Sequence, residues 1–370
     1  MSVHEIKPEL IPGAKIKVIG VGAGCKTLNR MITEKLEGVE FVAVNTDAQD
    51  LASNLAPQKI NIGLNLTKGL AGADPEIGRK SAEESMDDIK MMLGDTDMVF
   101  ITCGMGGTGT GAAPVIGEIA MGMGILTVGV ITEPFGFEGK KRGQNAEDGV
   151  NRLKNNVDTL IIIPNDRIFN IIDKKTTFKQ AFSMIDRILF LGVQGISDLI
   201  IKPGDINIDF ADINGILKTS GTALLGIGYG AGEKRAIEAA RKAIENPLLP
   251  RDLRGAKNVI FAVTGGVDLT PIEVQEAANV IEDILDDDVK MIWGMTFDES
   301  YEDEIKVTII ATFDEMSERM ENMGYQTKSS RRASEDFISR GVRTVTKAPA
   351  PQAEPEEDLE TPAFMRKKLG

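Results

Sequence analysis

Gly104-Met-Gly-Gly-Thr-Gly-Thr-Gly111 holds five glycines and two threonines in eight residues, between an apolar run at 98–102 and a helical pattern near 115–123 that Ala-Ala-Pro114 is expected to open. A strand, a turn poor in side chains and then a helix make an anion cradle, because unpaired amides and the helix dipole converge at the helix start. Glycines let the backbone approach a ligand, and the threonine hydroxyls add donors for phosphate oxygens. A turn made only for packing has little use for so many glycines, so the stretch reads as a phosphate loop. The arrangement recurs upstream, where the run at 16–19 enters Gly20-Val-Gly-Ala-Gly-Cys25-Lys-Thr27 ahead of a helical pattern at 28–36. That loop misses a dinucleotide fingerprint, G-x-G-x-x-G, only at Cys25. It misses a Walker-type G-x-x-x-x-G-K-[ST] at the same residue. Taken alone it is equally well a tight structural turn; taken with the second loop, it suggests a polyphosphate lying across the carboxyl ends of two strands.

Further runs at 41–45, 125–131 and 159–163 are apolar almost throughout, as strands buried on both faces are, and the lengths between them suit crossover helices. The spacing predicts a helix capped by Asp74, with Pro75 in its first turn and Ile77, Met86, Ile89 and Leu93 on its apolar side. An amphipathic stretch at 178–201 carries Phe178, Ala181, Phe182, Ile185, Ile188 and Leu189 at helical spacing, and Lys202-Pro203-Gly204 is expected to end it. Beyond it, strands are expected near 223–229, 259–264, 289–295 and 305–312, with helices near 233–245 and 271–285. The fold class is therefore α/β: a Rossmann-like parallel-sheet domain joined by a long central helix to a second, smaller α/β domain. The boundaries read as an N-terminal extension at 1–13, a nucleotide domain at 14–176, the helix at 177–203, the second domain at 204–315, a disordered linker at 316–358 and a terminal peptide at 359–370. The linker is called on composition, since 349–360 carries five acidic residues and no basic one. Thr361-Pro-Ala-Phe-Met-Arg-Lys-Lys-Leu-Gly370 sets an apolar pair beside three basic residues, the makeup of a docking peptide or of a frayed end.

Composition removes several chemistries. Among 370 residues there are 39 glycines against the ~26 of average usage, and they cluster instead of repeating as in collagen. The net charge of −14 argues against nucleic acid as a partner. With His4 the only histidine and Cys25 and Cys103 the only cysteines, a His/Cys metal site and a Ser-His-Asp triad both lack their parts. Met1 and the residues after it lack a signal-peptide pattern, and the apolar stretch at 119–131 is short of the ~18 residues of a membrane span. A cytoplasmic protein without direct membrane insertion is the expectation.

Gly106-Gly-Thr-Gly-Thr-Gly111 resembles the signature of the tubulin/FtsZ family of GTPases. Asn45-Thr-Asp-Ala-Gln49, Thr67-Lys-Gly-Leu70, Pro134-Phe-Gly-Phe-Glu138-Gly-Lys-Lys-Arg142, Ile163-Pro-Asn-Asp166, Val193-Gln-Gly-Ile196 and Asn207-Ile-Asp-Phe-Ala-Asp212 are similar to family motifs, in family order. The resemblance implies GTP as substrate and GDP as product, with Mg2+ accompanying the nucleotide. It places phosphates at Gly20, Gly22, Ala23, Gly24, Cys25 and Lys26, at Ala71, Gly72 and Ala73, and at Gly104, Gly106, Gly107, Thr108, Gly109 and Thr110. Ribose would lie near Glu138 and Arg142 and guanine near Phe182 and Asp186, with Asn165 a further nucleotide-binding residue. Read without the family, Phe182 belongs to an apolar helix face and Arg142 to a solvated charge run. The acidic loop Asn207, Asp209 and Asp212 would meet the phosphates of a neighbouring subunit and orient the attacking water, so that head-to-tail filaments complete the site. Helix capping is the alternative role of those two aspartates. The resemblance further implies a bacterial division ring at mid-cell, tethered to membrane-bound division proteins through residues 361–370.

The chain departs from the family pattern by single glycines. One is absent between Gly22 and Ala23, and others from Leu70-Ala71-Gly72-Ala73, Met105-Gly-Gly107-Thr108 and Ala311-Thr312-Phe313. Three of these lie in loops expected to touch phosphate, and Lys26 stands where the family usually has asparagine. A divergent scaffold with weak or no hydrolysis is accordingly one alternative; a dinucleotide enzyme using the Gly20 loop, or a kinase using Lys26 and Thr27, are others.

Overall fold

In the computed structural model, residues 13–201, 208–218, 220–246, 249 and 252–313 are described. The apolar runs form β1 (Ile16–Val21), β2 (Val39–Asn45), β4 (Met98–Gly104), β5 (Leu126–Glu133) and β6 (Thr159–Pro164), with β3 (Gln58–Asn61) added at the edge. The sequence reading missed β3 because Ile60 is its one apolar residue; an edge strand buries too little to need an apolar run. The strands are parallel in the order β3-β2-β1-β4-β5-β6. The crossovers are α1 (Gly24–Thr33), α2 (Ala48–Ser53), α3 (Leu64–Thr67), α4 (Pro75–Glu84), α5 (Met86–Leu93), α6 (Thr108–Gly122) and α7 (Lys140–Lys154).

Two helix expectations need correction. Asp74 does cap α4, accepting from Glu76 N, and Pro75 does stand in the first turn. The predicted single helix, however, breaks at Ser85 into α4 and α5, and Ile77 is exposed while Gly78, Ser81 and Ala82 form the buried face. The reason is α6, which starts at Thr108 and not at Ala-Ala-Pro114, and packs backbone to backbone on α4. A Cβ built on Gly111 would lie 1.8 Å from the Pro75 carbonyl oxygen, and one on Gly78 2.7 Å from the Thr108 carbonyl oxygen. Small residues alone allow that approach, so the α4 face that packs is its glycine-serine-alanine side.

The amphipathic stretch is one helix, α8 (Phe178–Ile201), roughly 36 Å long at 1.5 Å per residue. Its buried side, with Leu189, Phe190, Val193 and Ile196, shares one core with Val18, Val128, Ile161, Ala223, Ile260 and Ile310. After it come α9 (Phe210–Leu217), β7 (Gly221–Ala231), α10 (Arg235–Ile244), β8 (Asn258–Gly265), α11 (Pro271–Glu282), β9 (Lys290–Phe297) and β10 (Glu304–Phe313). The sheet is continuous: β7 pairs parallel with β6 through Thr159–Ile161, and the order continues β7-β10-β8-β9, with β10 antiparallel to both neighbours. The second α/β region thus joins the first by the helix and by strand pairing together. A separate core of α10 and α11 on the outer part of the sheet, including Ala239, Phe261, Ala277 and Val307, marks it as its own layer. Residues 1–12, the expected linker and the terminal peptide lie outside the described residues. Among the described residues no helix is long and apolar enough to cross a membrane.

Candidate nucleotide site

The strand order reverses between β1 and β4, and such a switch point opens a crevice at the carboxyl ends of the strands. Both glycine loops leave from there. Gly22 turns the chain after β1 with φ of +58°. A Cβ on it would meet the Gly109 nitrogen at 3.0 Å, one on Gly24 the Thr102 carbonyl oxygen at 2.1 Å, and one on Gly107 the Ala73 carbonyl oxygen at 2.6 Å. The loops after β1 and β4 and the 71–73 segment therefore touch backbone to backbone. Side-chain bonds tie them further: Thr46 Oγ1 receives the Gly72 N–H at 3.0 Å, and Thr108 Oγ1 donates to the Gly72 carbonyl at 2.8 Å.

Not every expected contact faces the crevice. The Cys25 side chain is fully buried, its Sγ donating to the Gly20 carbonyl at 3.2 Å, and burial pushes its thiol up to about 12. Thr110 is buried with its hydroxyl unpartnered. Gly20 is closed off by Leu28, and Gly109 by Cys103 and the Gly104 carbonyl. What remains open is specific. Around Gly104 nothing approaches a Cβ closer than 3.5 Å, Gly106 faces only the flexible Arg142 guanidinium, and Ala23, Lys26, Ala71 and Ala73 are exposed. At the start of α6 the N–H groups of Thr108, Gly109 and Thr110 find no acceptor among the described residues. Three unpaired amides at a helix N-terminus beside open space are what an anionic group requires.

Beside this cradle stands a second set of groups. Glu138 accepts from Phe135 N at 2.8 Å and pairs with Arg142 Nε at 2.7 Å. Asn165, after β6, is buried with its amide oxygen unpartnered. Asp186, one turn beyond Phe182 on α8, accepts from Thr27 Oγ1 at 2.7 Å; burial raises its carboxyl, and the Thr27 bond, Arg30 and Lys26 offset part of the rise. Phe178 and Phe182 are not on the buried face of α8 as the periodicity suggests, for they are 69% and 48% exposed. They belong to a surface aromatic group in which Phe182 stands edge-on to Phe135 at 5.7 Å, and Phe137 and Phe169 flank Phe135. Sequence reasoning quoted the motifs that hold Thr46, Phe135 and Phe137 without singling these residues out, and it missed Phe169; the Phe-x-Phe spacing in residues 134–142 is a signal for Phe135 and Phe137 alone.

The acidic residues lie elsewhere. Asp209 caps α9, accepting from Ala211 N at 3.4 Å, and Asp212 is exposed in its first turn; Asn207 lies outside the described residues. The other end of α9, at Leu217, is bonded to Thr159, the first residue of β6, and Gly221 N donates to the Asp158 carbonyl. These contacts are at the amino ends of the strands. α8 runs between the two rims, from Phe182 beside Phe135 to Ile201 against Gly38, just before β2. The acidic residues and the cradle thus sit at opposite ends of one sheet, so a chain does not bring its own Asp209 and Asp212 to its own loops.

A 3-2-1-4-5-6 parallel sheet with two glycine loops at its switch point, bridged by one helix to a second α/β layer, defines a nucleotide-binding protein of tubulin-like architecture. The description "Tubulin/FtsZ family, GTPase domain" matches residues 15–173, and "FtsZ family, C-terminal domain" matches residues 221–313. An empty FtsZ dimer from M. jannaschii is 44% identical at a TM-score of 0.78, over 83% of this chain and 92% of that one. A GTPγS-bound protofilament of CetZ2 from Haloferax volcanii is 20% identical at a TM-score of 0.71, over 89% and 100%, and shows likeness of fold. The chain belongs to the FtsZ family of tubulin-like GTPases.

Proposed function

We propose that the chain is a cell-division GTPase that assembles head to tail, each subunit's acidic loop completing the GTP site of the next. One observation carries this: the groups suited to bind phosphate and the groups suited to activate water stand at opposite rims of the sheet, so a second subunit must supply the latter. A surface that meets a different surface of an identical neighbour without closing generates a filament. The FtsZ dimer and the CetZ2 protofilament are assemblies of this kind of chain and support the reading.

Phosphoryl transfer asks a protein mainly for positioning and electrostatic stabilisation. In this reading the phosphates lie over Gly104 and Gly106, with the Thr108, Gly109 and Thr110 amides as donors, and Arg142 swings off Gly106 to meet them or the ribose. Asn165 offers its unpartnered oxygen to the sugar or base, Phe182 stacks on guanine, and Asp186 accepts its N–H groups. Mg2+ would arrive with the phosphate oxygens of the nucleotide and offset their charge, an ion that needs few protein carboxylates. Asp209 and Asp212 of the next subunit hold and polarise water. The tether to membrane-bound division partners through residues 361–370, and the bacterial mid-cell ring, rest on sequence resemblance; the FtsZ structures compared come from M. jannaschii.

Phosphate release from GTP, measured against protein concentration alongside sedimentation, tests the reading. Turnover per subunit should rise above a threshold concentration and then hold constant; turnover strictly proportional to protein, with no sedimenting species, overturns assembly-dependent catalysis. Nucleotide binding without hydrolysis at any concentration would favour the scaffold alternative, to which the contracted loops would then belong. Phe182→Ala should weaken GTP binding by about 5- to 150-fold, the ~1–3 kcal/mol of a base–aromatic stack, with little change in melting temperature because the ring is half exposed. Equilibrium titration of the nucleotide checks it, and unchanged affinity removes Phe182 from the site.

A further inference from the structure

The two outer strands of the ten-stranded sheet are built differently. β3 has four residues and an exposed Lys59, a short and charged edge of the kind that discourages further pairing. β9 at the opposite edge has eight, and after Lys290 it carries neither charge nor proline through Met-Ile-Trp-Gly-Met-Thr-Phe297. Among the described residues it pairs only with β8, in parallel. Lys290 N donates to the Lys257 carbonyl at 3.1 Å and Asp298 N to the Gly265 carbonyl at 3.0 Å, so the even-numbered amides between them face β8. The N–H and C=O groups of Met291, Trp293, Met295 and Phe297 therefore point out of the sheet edge. Both faces of the strand are covered, Ile292 packing on the core shared with α8, and Met291 and Met295 on the α10–α11 layer. Trp293 stacks on Phe261 at 6.3 Å between ring centroids and is still 39% exposed, and Phe297 is 38% exposed. A long uncharged edge flanked by open aromatic rings is a template for another strand.

We propose that β9 pairs antiparallel with β9 of a second copy of this chain, about a two-fold axis through Gly294. The order of its side chains points to that occupant. Outward residues must meet outward residues, and this axis sets Trp293 opposite Met295 of the second copy and Met291 opposite Phe297 of the second copy. Both are methionine–aromatic pairs, favourable between neighbouring strands. The axis also sets Lys290 opposite Asp298 of the second copy, twice by symmetry, in the positions without backbone bonds where side chains come closest. Lys290 is exposed, and Asp298 is held at the strand end by accepting from Ser300 N at 3.0 Å and Ser300 Oγ at 2.6 Å. An axis at Trp293 would instead set Asp298 against Asp288, and one at Met295 would set Lys290 against Ser300; neither forms an ion pair. A surface that meets itself closes as a dimer. The contact uses neither the glycine loops nor the acidic loop, so it goes beyond the proposed function, and between filaments it would act sideways.

Sedimentation equilibrium of the full chain without nucleotide tests it, with melting curves to verify folding. Wild type should pass from monomer to dimer as concentration rises, and stop there. Lys290→Asp should weaken the dimer about tenfold, because it turns two attractive pairs into two repulsive ones, and Asp298→Asn, which keeps an acceptor for Ser300, about threefold. In the Lys290→Asp background the same Asp298→Asn change should tighten the dimer about threefold, since it then removes a repulsion. Met295→Pro deletes one outward donor and no bond to β8, and should weaken the dimer about tenfold or more. The charge variants decide alone should Met295→Pro not fold. Wild type that stays monomeric at its highest soluble concentration would overturn the proposal and leave the edge to an extended segment of another protein. A dimer in which Asp298→Asn acts with one sign in both backgrounds, or a folded Met295→Pro that dimerises like wild type, would overturn it as well.

Discussion

Asp212→Ala is expected to lower GTP turnover about a hundredfold or more, the range for loss of a positioned acid–base group, while leaving GTP affinity and folding intact. The side chain is exposed in the first turn of α9 and holds no cap, so its removal costs the helix little. Asp209→Ala differs in an instructive way, because Asp209 is the N-cap of α9 and its loss also removes ~1 kcal/mol of helix stability. Asp212→Ala is therefore the cleaner probe of chemistry. Mixing gives the stronger test. If an acidic loop serves the neighbour's nucleotide, Asp212→Ala subunits added to wild type should depress turnover in proportion to the interfaces they enter, and a subunit unable to bind GTP should still activate a neighbour through its own Asp212. Turnover in mixtures that equals the sum of separate activities would mean that each chain hydrolyses its own nucleotide. The opposite-rim placement of α9 and the glycine loops would then need another explanation.

How much of this was legible beforehand varied with the physical signal. Strands buried on both faces announce themselves by unbroken apolar runs, and every one so expected is present, within a few residues of its predicted ends. α8 was legible for the same reason, its length and its Ala181, Ile185, Leu189 stripe being buried as the spacing implied. The edge strand β3 was not, because polar, half-exposed residues carry no periodic signal. The start of α6 was misplaced since glycine and threonine are poor helix formers; tertiary contact with α4 overrides that preference. Function was legible mainly through motif resemblance. Which members of a motif are open at the candidate crevice was not, for it depends on backbone approach in three dimensions: Cys25 and Thr110 belong to the glycine-rich stretches yet are buried, whereas Thr46 lies outside them and bonds Gly72, and Phe135 lies outside them and packs edge-on to Phe182.

The second large effect separates two kinds of glycine within Gly104-Met-Gly-Gly-Thr-Gly-Thr-Gly111. Gly111→Ala should be severely destabilising, because the new methyl would sit 1.8 Å from the Pro75 carbonyl oxygen and 2.6 Å from Arg79 N, both backbone atoms that cannot rotate away. Alanine gains ~1 kcal/mol of helix propensity over glycine, but overpacking against rigid backbone costs ~3 kcal/mol or more, so the clash wins. A fall in Tm of roughly 5 °C or more follows for a domain of this size. Gly104→Ala should do the reverse. Its methyl meets only Thr132 Oγ1 at 3.5 Å and Ala23 Cβ at 3.6 Å, ordinary contacts, and a stiffer unfolded chain adds ~0.4–1 kcal/mol of stability. In the proposed reading the methyl would occupy the space over which the phosphates lie, so GTP affinity should fall about tenfold or more, equivalent to ~1.4 kcal/mol. Paired melting curves and nucleotide titrations of the two variants decide the matter. A Gly104→Ala protein that binds GTP like wild type would show that the glycines of this loop serve packing alone, and the cradle would have to be sought over Gly106 and the first turn of α6.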